Sequence, residues 1–545
     1  MTGRWIILLG LLGALWCPAV LAVDFMNDVK PLLSRLGCNG SSCHGKAEGQ
    51  NGFKLSVFGA DPRGDYHSIL KEARGRRVTQ AAPEASLFLR KATGEVGHGG
   101  GVRLQPDSRE YRVLHDWIRG GLTFAEEERP AMVALRMEPA RAVLPFGAQQ
   151  PLKVMARYAD GREVDVTWQA VFHSNDVGMA KVDEQGLVTL GRSIGQTAVM
   201  ARFQGKVSVF QAIVPRPGPK PTLPARPVHN FIDGHVDRHL IRLNVHPSGL
   251  TDDATYLRRV HLDLIGTLPT AAETETFLQD TRKDKRAQLV EALMRRPEFA
   301  DFWALKWSDL LRVDRLALGH ENAFAYYQWI RAAMRENLPL DQWTRELLTA
   351  EGPLRDQPAG FFYKVAAKPG EMAAMTSQVF LGVRITCAEC HQHPYDQWTQ
   401  QDYQGMRGFF EQVKYKKLGE TEALLAEGNP KGKHPRTGAS VFPYALGTVM
   451  PEAAPEGDRR QTLADWMTQP DNPWFARNLA NRIWAHFMGR GLIEPVDDLR
   501  ATNPPSNPEL VAALAAAVAA GSAVSLRVTV VRCVCRGAHA SRGDL

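Results

Sequence analysis

Past residue 22 the sequence has no apolar run long enough to cross a bilayer, which excludes a polytopic membrane protein. A long basic run is also missing. The 66 Lys and Arg exceed the 59 Asp and Glu by a net +7 spread over 545 residues, so nucleic acid is not an expected partner. There is no glycine-rich phosphate loop, no serine nucleophile elbow and no H-E-x-x-H helix, so hydrolase chemistry is not indicated. Methionine is absent between Met26 and Met132. Cysteine is scarce, seven in all, but clustered. With 44% hydrophobic and 23% charged residues the chain has the composition of a folded protein, and its length calls for several domains.

Arg4, the apolar stretch Trp5 to Cys17 and the small residues ending at Ala22 read as a secretory signal peptide, residues 1–22, with an uncleaved anchor as the alternative. The expected location is periplasmic or cell-surface, with no transmembrane segment after cleavage. Six cysteines then remain in three close pairs: Cys38 with Cys43, Cys387 with Cys390, and Cys533 with Cys535. A histidine follows each of the first two pairs at once. Cys387-Ala-Glu-Cys390-His391 is a c-type haem attachment motif, in which two thiols on one turn add to the haem vinyl groups and the adjacent imidazole reaches the iron. A zinc site of Cys387, Cys390 and His393, or a disulfide, is the alternative.

Cys38-Asn-Gly-Ser-Ser-Cys43-His44 spaces its thiols by four residues and is the less specific motif, with a local disulfide loop as its alternative. Phe25, Val29, Leu32 and Leu36 predict a helix leading into it, and Ser108 to Gly120 predicts a second helix that packs against the first. That layout is a small cytochrome c-like domain over 23–128. With no methionine at hand, His98 in His98-Gly-Gly-Gly101 is the leading sixth ligand to the iron of His44, and His67 and His115 are further candidates. The alternative leaves His98 in a solvated turn and the iron five-coordinate. Short alternating runs over 130–217 predict a β-sandwich, repeated prolines over 218–228 a semi-rigid linker, and apolar spacings such as Leu257, Val260 and Leu264 a mostly α-helical domain over 229–415. Phe302, Trp303 and Trp307 are expected in its core.

Several long stretches carry a family resemblance. Trp168 to Asp176 and Ala180 to Thr189 resemble bacterial Ig-like domains of group 2. Tyr256 to Thr270, Phe380 to Trp398, Asn472 to His486 and Gly491 to Arg500 resemble the large secreted cytochrome-type proteins of planctomycetes. The resemblance implies a cytochrome c-like domain, an Ig-like domain and two domains of unknown function in that order, the last beginning at 440–515. It also implies haem binding and electron transfer outside the cytoplasm. The haem c groups, two in number, would be attached through Cys38, Cys43, Cys387 and Cys390, with His44 and His391 as axial ligands. His393 and Asp396 match the family pattern without a defined role, and His393 is a second candidate sixth ligand. Residues 516–545 depart from the pattern and read as an aberrant tail, the product of a frameshift or premature end near Gly521, in which Cys533 and Cys535 mean nothing. A metal or redox pair at Cys533 and Cys535 is the alternative reading. The expected architecture is thus multidomain: a small all-α domain, an all-β sandwich, then mostly helical domains. The expected partner is an unidentified redox protein. A haem-dependent redox enzyme, or a cell-surface protein whose Ig-like domain contacts a surface or polysaccharide, are the alternatives.

Overall fold

The computed structural model describes residues 23–46, 48–125, 130–222, 230–419, 421–435 and 437–519. The expected signal peptide, part of the proline-rich linker, and Cys533 and Cys535 lie outside the described residues. The chain divides into two compact units, 1–129 and 130–545.

The first unit is helical. The Asp24 carboxylate caps a π-helical turn, Phe25–Val29, that continues as the helix Lys30–Arg35. Its apolar side chains Phe25, Val29 and Leu32 are fully buried. The helix Arg109–Arg119, capped by Ser108, buries Leu114, Trp117 and Ile118. The two segments pack together as the sequence predicts: the Phe25 and Trp117 rings lie 5.7 Å apart, and the Phe25 N–H donates to the Thr123 carbonyl at 2.9 Å.

The second unit opens with a β-sheet region. Met132–Glu138, Lys153–Tyr158 and Glu163–Asp165 form one antiparallel sheet. A second runs Arg141–Val143, Lys206–Val214, Gly195–Phe203, Val171–Ser174, with only its first pair parallel. Gln149–Pro151, Leu187–Leu190 and Ala180–Val182 make a third. Along Lys153–Tyr158 the buried Val154 and Ala156 alternate with exposed Lys153 and Arg157, and they join Val199, Phe210 and Val214 in a common core. Trp168 lies outside the strands, although it opens one of the stretches that resemble an Ig-like domain. Asp165 accepts from both the backbone N–H and the hydroxyl of Thr167, which curls Thr167–Gln169 into a 3-10 turn.

From Phe231 onward the unit is mostly helical. Asp252 caps the helix Asp253–Ile265, Gly266 ends it in the left-handed conformation, and Leu257, Val260 and Leu264 are buried as predicted. Trp303 and Trp307 are core residues, and Trp343 stands between Trp307 and Trp329 at ring separations of 4.9 and 5.5 Å. Two features differ from the sequence reading. A hairpin of Val413–Leu418 and Thr421–Ala426 pairs with Gly352–Pro353 inside the helical region. The start of the segment predicted as a semi-rigid linker is also tied to the helical part, because the Asn244 amide donates to the carbonyls of Arg216 and Gly218. The helices Arg459–Met467, Phe475–Met488 and Pro508–Ala519 complete the unit.

Candidate functional site

The first Cys/His motif follows the helix Lys30–Arg35. The Cys38 N–H donates to Leu33, and the His44 N–H closes the loop onto the Cys38 carbonyl at 3.0 Å. Gly45 is required there, since a Cβ would come within 2.3 Å of the Asn39 carbonyl oxygen. Cys38 and Cys43 are half-buried free thiols. Burial, reinforced by Cys43, pushes the Cys38 thiol up to about 11, so it stays protonated at neutral pH and is not a reactive nucleophile on its own.

His44 and His98 meet, although 54 positions separate them in sequence. Their rings are parallel to within 7°, with centroids 6.2 Å apart. The His44 Nδ1 lies 2.9 Å from the Phe53 carbonyl, and the His98 Nδ1 lies 2.9 Å from the Gly101 carbonyl. A carbonyl only accepts, so in each ring Nδ1 carries the proton and Nε2 carries the lone pair. Burial lowers the His44 pKa, which keeps the imidazole neutral. The glycine run has a direct role: a Cβ on Gly100 would sit 2.9 Å from the His98 ring. Of the other candidates, His67 is exposed, and His115 lies beside Glu84 and Asp116.

The second motif sits on the 3-10 turn Thr386–Glu389. Cys387 and Cys390 are exposed free thiols. The His391 Nδ1 lies 2.7 Å from the Gln392 carbonyl, so it too must donate and leaves Nε2 as the lone-pair nitrogen.

His393 is built the other way round. It is 6% exposed, its Nδ1 accepts the Tyr395 backbone N–H at 3.2 Å, and its own backbone N–H donates to the Trp398 carbonyl. Neutral His393 therefore carries its proton on Nε2 and holds the turn, which removes the lone pair that a sixth ligand needs at that nitrogen. Burial, with Arg500 and His391 nearby, pushes its pKa down to about 4. The zinc alternative through Cys387, Cys390 and His393 gains nothing: among the described residues no group of three or more His, Cys, Asp or Glu side chains is gathered to hold a metal.

Residues far downstream close this loop. The Leu499 N–H donates to the Gly382 carbonyl at 2.7 Å, the Ala501 N–H to the Asp396 carboxylate at 3.3 Å, and the Thr502 hydroxyl to the Tyr395 carbonyl. Local spacing gave no sign of Thr502 or of the Arg500 stacking on Tyr395, because that partner lies about a hundred positions earlier.

Asp396 carries a testable cost. Burial, with Asp498 adding repulsion, raises its pKa from 3.8 to about 6. From pH 4 to pH 6 the unfolded chain has lost this proton while the folded chain keeps it, so stability falls as pH rises through that window and stays lower above it. Asp396→Asn removes the slope. The net gain expected at pH 7 is about 1–2 kcal/mol, less than the full linkage because the new amide N–H groups also need partners. Urea midpoints at pH 3.5 and pH 7 measure it. Equal variant-minus-parent differences at both pH values would count against this assignment.

Residues 231–415 match the family model described as PSCyt2, protein of unknown function (DUF1549). Residues 459–528 match PSD1, protein of unknown function (DUF1553). The two associated domains of the expected family are therefore present, in the expected order, and the second match extends into the segment set aside above as an aberrant tail. No curated protein matches the chain.

Proposed function

We propose that the chain is an exported c-type haem protein that holds two covalently attached haem c groups and passes electrons to a partner protein. The carrying observation is the His44–His98 pair. A neutral imidazole with its proton on Nδ1 offers Nε2 as a ligand at about 2.0 Å from a metal, and two such rings stand near one another here. The separation in this chain is 6.2 Å, with each Nδ1 tied to a carbonyl. Hydrogen bonding of that kind fixes the tautomer and raises the basicity of the ligating nitrogen.

Cys38 and Cys43 would tether the first group, with His44 and His98 as its axial ligands. Cys387 and Cys390 would tether the second, with His391 on the proximal side; their exposure leaves both thiols open to attachment. The packing of the segments that begin at Phe25 and Arg109 supports a cytochrome c-like reading of the first unit, and the strand set of 132–214 supports the Ig-like one. Bound haem supplies a one-electron iron couple tuned by axial ligands, hydrogen bonds and burial. No helix among the described residues is long and apolar enough to cross a membrane.

The test is a pyridine haemochrome spectrum with intact mass, on protein coexpressed with c-type maturation machinery. Two covalent haems are expected, one of them lost in Cys43→Ala and the other in Cys390→Ala. A correctly exported, folded protein without haem would overturn the proposal.

A further inference from the structure

The β-sheet region does not stand apart from the second motif. Two points of one sheet touch the loop that carries it, and a third touches the downstream segment that closes that loop. The first is the two-residue turn Gln204-Gly205 that joins Gly195–Phe203 to Lys206–Val214; both turn residues have positive φ, 45° and 82°. The Gly205 carbonyl accepts the Gln392 side-chain amide at 2.8 Å. Glycine serves twice here, since it adopts the positive φ readily and a Cβ would lie only 2.5 Å from the Gln392 amide nitrogen.

The second point is His173, whose ring stands 5.1 Å from that of Tyr395; the Arg500 guanidinium lies 5.7 Å from the same tyrosine ring. Next along the chain, the Asn175 amide donates to the Thr502 carbonyl at 2.8 Å and its oxygen accepts from Arg500 at 3.2 Å. The third is Gln211, which donates to the Pro505 carbonyl at 3.4 Å.

Gln392 links these contacts to the motif. Its side chain is held by Gly205, and its backbone carbonyl accepts a hydrogen bond from the His391 Nδ1–H. We infer that the β-sheet region is a collar for the second haem site: by fixing Gln392 and Tyr395 it holds His391 in its ligating orientation and sets the redox potential of that site. The inference rests on the proposed haem function and gives the β-sheet region an internal task instead of a spacing or adhesive one. Gln392 and Gly205 are positioning residues that act through His391. Outer hydrogen bonds to metal-ligating histidines carry about ten- to a hundred-fold in affinity or activity, which makes the link large enough to measure.

The experiment is a spectroelectrochemical titration of the full chain in a Cys38→Ala/Cys43→Ala background, which leaves only the second haem. Gln392→Ala and His173→Ala are the variants. The expected result is a shift equivalent to about a tenfold change in the oxidised-to-reduced ratio, 59 mV for one electron, in at least Gln392→Ala. In the complementary Cys387→Ala/Cys390→Ala background the first haem should not move. Unchanged potentials at the second haem, or equal shifts at both, overturn the collar. Limited proteolysis of haem-free protein is the second measurement: cleavage within 387–400 should become faster in Gln392→Ala, and an unchanged rate counts against the collar. If the parent binds no haem the haem reading falls, and with it the redox role inferred for this contact.

Discussion

Replacing His98 with alanine is expected to open a coordination position at the first haem. In a Cys387→Ala/Cys390→Ala background the parent should show a six-coordinate spectrum and leave carbon monoxide unbound after reduction, whereas His98→Ala should bind it stoichiometrically. The effect is expected to be all-or-none because His98 is the ring that stands parallel to His44, with centroids 6.2 Å apart. Imidazole added to the buffer should restore the parental spectrum of His98→Ala, because the glycines beside residue 98 leave space where the side chain stood. His67→Ala, altering an exposed side chain on the helix Pro62–Leu70, should change nothing. Equal carbon monoxide binding by the parent and His98→Ala would sink the assignment.

The largest stability loss is expected from Arg460→Ala. The Arg460 side chain is fully buried, pairs with Asp458 at 2.8 Å, donates to the Ala350 carbonyl at 2.9 Å, and places its guanidinium 5.3 Å from the Tyr363 ring centre. Truncation leaves Asp458 without its cation and a buried carbonyl without its donor. Removing one partner of a buried pair costs about 3–5 kcal/mol, and the lower end applies because the Asp458 side chain keeps some access to water. A urea midpoint followed by tryptophan fluorescence should fall accordingly. Arg295→Ala, breaking an exposed 3.8 Å pair with Glu291, should leave the midpoint in place. Equal behaviour of the two variants would mean that the Arg460 contacts are dispensable.

How far the sequence revealed this molecule depended on the range of each signal. Leu257, Val260 and Leu264 announce their helix because one face of a helix repeats locally, and Leu187–Leu190 announces a strand for the same reason. The 413–426 hairpin is quieter: Lys414, Lys416 and Lys417 are exposed on a strand in which only Val413 and Tyr415 reach the core. Arg459 and Arg460 read as surface charge, yet both are buried, since carbonyls at Gly408, Pro430 and Ala350 await them. His98 drew notice through its glycines and the missing methionine, and its ring lies 6.2 Å from that of His44. Gly205, Gln392 and Thr502 were not, because each takes its meaning from a partner more than a hundred positions away.

The downstream closure of the second motif also sets an order of events for a chain that emerges from its amino end. Leu499, Ala501 and Thr502 hold the loop through Gly382, Asp396 and Tyr395, but a nascent chain grown only to residue 415 has none of these fasteners. During that interval the segment from Gly382 to Trp398 is an open strap with both cysteines presented. Residues 499–502 arrive later and buckle the strap, while Cys387 and Cys390 stay exposed in the finished fold.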